Sequence, residues 1–485
     1  MNPSNLPAVA PPLQVPSEAS KRLLPWLVAV AFFMESLDTT ILNTAVPAIS
    51  AALHVTPLSM KAVLASYTLS LAVFIPISGW VADRFGTRRV FATAIGLFTL
   101  GSFLCGISSN IDALVACRVL QGMGGSMMVP VGRMTLVRTF SKSGLLRAMS
   151  FVSIPALVAP MLGPIAGGLI VGYLHWRFIF FVNIPIGLAG LVLVYLYLPD
   201  YREEKTHPLD VVGLILFGSG IALLSYVLEV FGEHTLGARE ITGLLVVSLT
   251  LLAGYWVHAK TLQFPLLQLR LFRIRTFRAA VGGGLFTRLG IGGVPFLLPL
   301  LYQVGLGFTP VQSGLLLMPQ ALAAISVNWV ILRLLARFGY RGVLVTNTII
   351  IGMLLLLFAT IGVHTPIWVI VGLAFLYGAY SSLQYTSMNT LVYADTTDEE
   401  TSAANSIFST VQQMAISFGV AAAGLATAFF IPEHSQSNPA LMIEGLHKAL
   451  LSMGVLTILS TTVFGSLKRE DGMAVSQQKT IHPGG

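Results

Sequence analysis

Long apolar segments separated by short polar loops run through almost the whole chain. Each segment extends for about 20 residues, the length that an α-helix needs to cross a hydrocarbon core of about 30 Å. We place fourteen of them, at residues 24–46, 62–82, 90–108, 112–137, 148–171, 177–198, 210–230, 241–258, 278–303, 312–335, 342–362, 366–393, 402–431 and 447–467. The pattern predicts an all-α polytopic membrane protein.

Composition agrees that the solvent of this chain is lipid. Charged residues make up 10% of the sequence and hydrophobic residues 55%, and the mean hydropathy is +0.81. The two cysteines, Cys105 and Cys117, lie in apolar segments and offer neither a disulfide framework nor metal-site spacing. We therefore expect no metal and no cofactor.

The positive charge is distributed in a way that predicts topology. If alternate loops are assigned to the cytoplasm, that side receives twenty-two basic residues and the opposite side only four. This bias follows the positive-inside rule and places both termini in the cytoplasm of a bacterial-type inner membrane. The net charge of +8 is thereby explained without a nucleic-acid partner.

Two sequence echoes predict an internal repeat. The loop from Asp83 to Arg88 reappears from Ala336 to Arg341 at an offset of 253 residues, and Gly163 to Gly168 aligns with Gly419 to Gly424 at an offset of 256. We infer two six-helix halves, 24–198 and 278–467, around an inserted pair of helices in 199–277. The tails, 1–23 and 468–485, are expected to be disordered. Facing halves around a midplane site are typical of transporters that work by alternating access.

The first apolar segment carries two carboxylates, Glu35 and Asp38. Helix rise places them about 16 to 21 Å into the membrane. At i,i+3 spacing they share a face with Thr39 and Asn43. Such acids mark ion or substrate pathways, or are held in a buried hydrogen bond. We favour Asp38 as the main proton-binding group and leave the division of roles with Glu35 open.

Two arginines, Arg118 and Arg288, also fall inside apolar segments. A buried arginine needs an anion or a ring of carbonyl oxygens, so Arg118 is a candidate partner for a titrating acid. Alternatively, Arg118 reaches the outer surface. Arg288 is a candidate anion site or counter-charge, or it only braces the helix bundle.

The loop after the second segment is short and crowded with charge. Asp83 could pair with a basic side chain or a helix N-terminus and so form a latch that breaks during transport; alternatively the loop only sets orientation. The candidate latch residues are Gly79, Asp83, Arg84, Gly86, Arg88 and Arg89.

Further candidates serve packing or line a cavity. Glycines let helices approach closely, and a proline bends a helix; the candidate hinge or packing residues are Gln121, Gly122, Gly163, Pro164, Gly167 and Gly168. Polar residues in the later segments either line a cavity or join helices, and with Thr39 and Asn43 the candidates are Gln384, Tyr385, Asn389, Asn405 and Gln412.

Several of these motifs resemble those of one known family. The stretch from Leu37 to Pro47, the loop from Gly79 to Arg89, Arg118 with Gln121 and Gly122, Gly163 to Gly168, and Trp176 to Pro185 are similar to motifs of the fourteen-helix drug:proton antiporters of the major facilitator superfamily, the EmrB/QacA type. The branch that contains HsrA and MdtD is the most similar. The sequence differs from that branch at Glu35, because a neutral glutamine is expected at this position.

The resemblance implies proton-driven export. Asp38 would then be a proton or substrate site, Arg118 would take part in proton coupling, and the loop after the second segment would be the latch. We expect a small-molecule substrate, protons and the lipid bilayer as partners, and a functional monomer. An exporter of one metabolite and an uptake symporter are alternatives within transport. A membrane-embedded enzyme or a sensor is the alternative from another class, but the nine histidines are scattered and no phosphate-binding loop is present.

The topology can be tested with reporter fusions. Fusions near Tyr201 and after Gly485 should both report the cytoplasm, whereas a fusion between Glu229 and Glu240 should report the outside, because the basic loops stay in the cytoplasm. Fusions at Tyr201 and Gly485 that report opposite sides would show that the number of spans is wrong.

Overall fold

The computed structural model describes residues 18–140, 142–203, 206–230, 237–397, 400–431, 439–468 and 470–472. The expected disordered tails lie largely outside these ranges. The first five helices are α1 (Glu18–Ala52), α2 (Lys61–Phe85), α3 (Thr87–Ile107), α4 (Ile111–Thr139) and α5 (Lys142–Tyr173). They are followed by α6 (Phe178–Phe181), α7 (Asn183–Tyr197), α8 (Val211–Val230), α9 (Ala238–Thr261) and α10 (Arg275–Ile291). The last five are α11 (Val294–Leu300), α12 (Pro310–Phe358), α13 (Ile367–Leu391), α14 (Thr401–Phe430) and α15 (Pro439–Phe464).

The helices confirm the predicted all-α membrane fold. In the described part of the chain, thirteen stretches are long and apolar enough to cross a membrane, and α5 adds the shorter apolar stretch Val158–Tyr173. Helices α6 and α7 together form one span, as do α10, α11 and the π-helix Leu301–Gly305, while α12 contains two spans. Helix α1 begins at Glu18, several residues before the predicted start of the first span.

The two echoing loops share one backbone conformation. Gly86 ends α2 with φ of 94°, and Gly339 breaks α12 into its two spans with φ of 69°. A positive φ is readily accessible only to glycine, which lacks the Cβ atom that clashes there. The offset of 253 residues found in the sequence therefore relates two equivalent turns.

The second echo places glycines where the two halves meet. A Cβ atom on Gly168 of α5 would lie 2.5 Å from the carbonyl oxygen of Pro310 in α12, and a Cβ atom on Gly424 of α14 would overlap the side chain of Lys61 in α2. Real Cβ atoms do not approach other atoms so closely. Glycine thus permits a close helix crossing at each of two equivalent contacts between the halves.

Buried side chains show that the halves meet mainly at one end of the bundle. One hydrophobic cluster contains residues of both halves, including Ile41, Val46, Leu297 and Leu354, and it surrounds the ends of α1 and α5. A second cluster is confined to the first half. Its members near the opposite end include Leu136 and Val90. The bundle is therefore closed at the end where α5 terminates and α12 begins.

Helix α8 of the inserted pair is joined to both halves at the closed end. The Lys61 ammonium of α2 donates to the carbonyl oxygen of Glu229 at 2.8 Å. The hydroxyls of Ser225 in α8 and Ser417 in α14 lie 3.4 Å apart, and Ser417 also donates to the carbonyl oxygen of Ala65 in α2 at 3.2 Å. These contacts link α2, α8 and α14.

A larger residue at Gly168 should disturb the closed end. Leucine there would overlap Pro310, and inserting side-chain volume into a packed contact costs about 1 to 3 kcal/mol. We expect Gly168→Leu to lower the midpoint of thermal unfolding of the purified protein. Gly372→Leu is the matched control, because a Cβ atom at Gly372 would meet nothing within 4 Å. Equal midpoints for the two variants would contradict the close crossing.

Candidate transport site

A buried ion pair joins α1 to α4. Nη1 of Arg118 donates to Oδ2 of Asp38 at 2.5 Å, and each side chain is only 1% exposed. Asp38 lies in the interior of α1, and Arg118 lies about two turns from the start of α4. Neither side chain can keep its charge in such a place without the other, because taking an isolated charge out of water costs several kcal/mol.

Polar side chains from neighbouring helices complete the coordination of this pair. Oδ1 of Asp38 accepts from Nε2 of Gln121 at 2.8 Å and from Nδ2 of Asn183 at 3.0 Å. The same amide nitrogens contact the Ser102 hydroxyl, which donates to the backbone of α6. The guanidinium of Arg118 lies 4.2 Å from the ring centre of Tyr67. The network thus connects α1, α2, α3, α4, α6 and α7.

A cavity of about 330 Å³ lies between the two halves. Charged, amide and hydroxyl side chains make up much of its wall, together with a few apolar ones. The first half contributes Glu35, Ile75, Gly125, Ser126, Val129, Pro130 and Arg133, and the second half contributes Asn389, Tyr393, Asn405, Phe408, Ser409, Gln412 and Gln413.

The cavity lies toward the end of the bundle opposite to the closed end. Arg133 is in the last two turns of α4, Asn389 is near the end of α13, and Asn405 is in the first turns of α14. The junction between α4 and α5 is basic, with Arg138, Lys142 and Arg147, whereas the loop between α13 and α14 contains no basic residue; most of the basic residues lie in the loops that alternate on this side of the bundle. Arg133 lies in the predicted segment 112–137, and α4 extends beyond it to Thr139.

Glu35 is the acid of α1 that reaches the cavity wall, whereas Asp38 faces Arg118. Oε2 of Glu35 is buried and has no hydrogen-bond partner among the described residues. Arg133 lines the same cavity. The two carboxylates, one helical turn apart, therefore lie in different surroundings: Asp38 is fixed by an ion pair, and Glu35 makes none within 4.0 Å among the described residues.

The other polar candidates fall into four groups. Asn389, Asn405 and Gln412 line the cavity. Gln384 instead lies in a buried network, accepting from Asn347 and donating to Thr348 at 2.8 Å each. Tyr385 packs against Arg288, with 4.6 Å between the guanidinium and the ring centre. Thr39 and Asn43 are not among the residues that line the cavity; the Thr39 hydroxyl donates to the carbonyl oxygen of Glu35.

The charged loop after α2 makes its contacts within the first half. Oδ1 of Asp83 accepts from Arg138 in α4 at 2.7 Å, and Arg138 also contacts Glu203 at 2.8 Å. Arg88 donates to Asp200 and to the carbonyl oxygen of Leu198. Arg84 and Arg89 are exposed, and a Cβ atom on Gly79 would meet nothing within 4 Å. In this conformation the candidate latch holds the linker after α7.

The glycine motif of α5 packs on α1. Cβ atoms on Gly163 and Gly167 would overlap α1 at Thr40 and Ile41, and the carbonyl oxygen of Pro164 accepts from Thr44 at 3.3 Å. On α4, Gly122 lies against Ser70 of α2. The motif therefore connects α1, which carries Asp38, with α5, whose Gly168 touches the other half.

Sequence reasoning missed several members of the site. Gln121 was assigned to packing, but its amide binds both Asp38 and Arg118. Asn183 stood within the motif from Trp176 to Pro185 without a role, and Ser102 was not singled out. An amide or hydroxyl in an apolar segment was the available signal, but its partners lie on other helices.

Comparison with known proteins identifies the family. The model of the Major Facilitator Superfamily matches residues 28–420. The chain belongs to the Major Facilitator Superfamily. It is accordingly a multi-pass membrane transporter and not an enzyme.

Curated relatives of this superfamily member carry the name multidrug resistance protein MdtD. The protein from Serratia proteamaculans is 42% identical over 84% of this chain and 85% of its own length. The protein from Pectobacterium atrosepticum is 39% identical over 92% of this chain and 96% of its own length. A protein from Escherichia coli O157:H7 is 38% identical over 94% of this chain and 97% of its own length.

Solved structures agree with the fold. A POT family transporter in complex with 5-aminolevulinic acid aligns with a TM-score of 0.66 and 16% identity, covering 91% of this chain and 95% of that chain. A D-xylose-proton symporter aligns with a TM-score of 0.63 and 13% identity, covering 92% of this chain and 98% of that chain. At these identities the likeness concerns the fold alone.

The buried pair generates a prediction about stability. Asp38→Asn leaves Arg118 as an unpaired buried charge, which costs about 3 to 5 kcal/mol. The double variant Asp38→Asn with Arg118→Gln removes both charges, so its midpoint of thermal unfolding should be higher than that of Asp38→Asn alone. Glu444→Gln, which removes an exposed pair with Lys448, should leave the midpoint almost unchanged, because water and salt screen such a pair. If the fall in the unfolding midpoint of the double variant equalled the sum of the falls in the two single variants, the two charges would not be coupled.

Proposed function

We propose that this protein is a proton-coupled secondary transporter that exports small amphiphilic compounds across the cytoplasmic membrane of a bacterium by alternating access. The observation that carries the proposal is the position of Asp38. Its carboxylate is paired with Arg118 deep in the bundle, one helical turn from Glu35 in the wall of a cavity shared by both halves.

The arrangement of the halves supports an inward-facing state. The halves are packed together where α5 ends and α12 begins, and the cavity lies toward the end that carries the basic loops. If those loops are cytoplasmic, as the positive-inside rule predicts, substrate enters from the cytoplasm. Separation of Gly168 from Pro310 and of Gly424 from Lys61 would then open the other side.

The wall of the cavity supports a small amphiphilic substrate. Its volume is near the lower limit of sites for small molecules, which are about 300 to 1,000 Å³. Amides of Asn389, Asn405 and Gln412 offer hydrogen bonds, while Ile75 and Phe408 offer apolar contact. The name of the relatives, a multidrug resistance protein, is in keeping with a substrate of this kind.

Proton coupling would operate through the ion pair. Protonation of Asp38 removes the negative charge that holds Arg118, so the network that joins six helices of the first half has a different lowest-energy arrangement in each protonation state. Helix α1 transmits such a change to α5 through Gly163 and Gly167. Helix α5 in turn touches α12 of the other half at Gly168, so a contiguous set of packed helices links the pair to the closed end.

The first test measures proton-driven export. In inverted vesicles with an imposed pH gradient, Asp38→Asn should abolish gradient-driven uptake of substrate, because the amide keeps the shape and cannot titrate. Glu35→Gln should retain a larger part of the activity, since Glu35 holds no ion pair. Glu444→Gln is the control with a neutralised exposed acid.

The direction and size of these effects decide the assignment. Gradient-driven transport by Asp38→Asn at the wild-type rate would overturn the role of Asp38. A greater loss in Glu35→Gln would transfer the coupling role to the cavity-facing acid. If the substrate moved in the same direction as the protons, and not in the opposite direction, the protein would be a symporter.

A further inference from the structure

Arg288 of α10 is a buried cation in the second half. Its side chain is only 2% exposed. The guanidinium lies 4.6 Å from the ring centre of Tyr385 and 5.8 Å from that of Phe408. Among the described residues, the guanidinium has no ion-pair partner within 4.0 Å and donates no side-chain hydrogen bond.

Arg288 has no acid near it in the sequence. No aspartate or glutamate occurs between Glu240 and Asp395. The described acids further along the chain are engaged elsewhere or exposed: Asp395 accepts from Thr276, Glu400 lies 4.0 Å from Arg270, Asp471 pairs with Arg275, Glu444 pairs with Lys448 on the surface, and Glu470 is exposed. The counter-charge of Arg288 must therefore come from across the cavity or from outside the protein.

The two aromatic contacts do not compensate for the missing anion. Removing a cation from water costs more free energy than a cation–π contact returns, because the quadrupole of a ring attracts a cation more weakly than an anion does. Arg118 shows the contrast within the same protein, because it has a tyrosine ring beneath it and also the carboxylate of Asp38. Arg288 has the rings alone.

The charges around the cavity leave a positive excess. Asp38 and Arg118 neutralise each other, and Glu35 shares the cavity wall with Arg133. Arg288 is the remaining charge in this part of the described structure. Phe408 connects it to the cavity, because its side chain forms part of the cavity wall and lies beneath the guanidinium.

We propose that Arg288 binds the anionic head group of the substrate, so that the exported compounds are amphiphiles bearing a carboxylate or a sulfonate. A planar guanidinium suits such groups because it can donate two parallel hydrogen bonds to them. The apolar part of the substrate would lie in the cavity against Ile75 and Val129. This inference rests on the proposed transport function and adds the charge class of the substrate.

The test compares three probes of one shape on the full-length protein in lipid nanodiscs. Naphthalenesulfonate, naphthylmethylammonium and naphthylmethanol are titrated by calorimetry without a proton gradient. The wild-type protein should prefer the sulfonate by about tenfold or more, which corresponds to 1.4 kcal/mol. Arg288→Gln should lose this preference. Arg288→Lys should retain part of it, because the charge remains while the forked geometry is lost.

Lys448→Gln is the matched control, since it removes one positive charge from the exposed pair with Glu444 and should leave all three affinities unchanged. A wild-type protein without preference for the sulfonate, or a preference that persists in Arg288→Gln, would overturn the proposal.

A separate arm distinguishes a substrate from an inorganic anion. Chloride alone is titrated while thermal unfolding is followed in wild type and in Arg288→Gln. Stabilisation of the wild type by chloride, together with absent sulfonate binding, would make Arg288 a structural anion site and would also overturn the proposal. Sulfonate preference that depends on Arg288 in a protein without gradient-driven transport would support the site and refute only the proton coupling.

Discussion

The ion pair between Asp38 and Arg118 is the constraint on which the first half of this transporter depends. Lipid offers no water to either charge, so each must be neutralised inside the protein. The amides of Gln121 and Asn183 bind the same carboxylate, which fixes the rotation of α4 and α7 relative to α1. In our proposal this interaction, which holds several helices, also responds to one proton, so that a structural requirement of the membrane becomes a means of coupling.

The second constraint is close helix contact at the closed end. Gly168 and Gly424 occupy equivalent places in the two halves, and each faces a helix of the other half. Glycine leaves room for a close approach at each of these two contacts, beside the hydrophobic cluster that both halves share. Such a contact can separate and form again, in keeping with transport by rocking of one half against the other. Helix α8 adds polar contacts at this end through Lys61 and Ser417.

The two halves are similar in fold but not in charge. At the offset that relates Gly86 to Gly339, Glu35 corresponds approximately to Arg288. The first half thus presents an acid to the cavity where the second half has a buried cation behind Phe408. In our proposals the two halves therefore have different roles: the proton-coupling acids lie in the first half, and the head-group site lies in the second.

The sequence by itself determined the solvent, the number of spans and the repeat, because hydrophobic length and glycine-containing turns are local properties that a bilayer imposes on each segment. It also located four charged residues inside apolar segments, where each needs a partner within the protein: Asp38, Glu35, Arg118 and Arg288. Only the tertiary structure decided which groups satisfy them. Asp38 meets Arg118 while Glu35, one turn away, faces the cavity, and Asp83 contacts Arg138 of its own half. Arg133 joined the cavity wall, although no role for it was predicted from the sequence. These outcomes depend on the rotation of each helix about its axis and on the separation of the halves, which are set by packing between segments far apart in the chain.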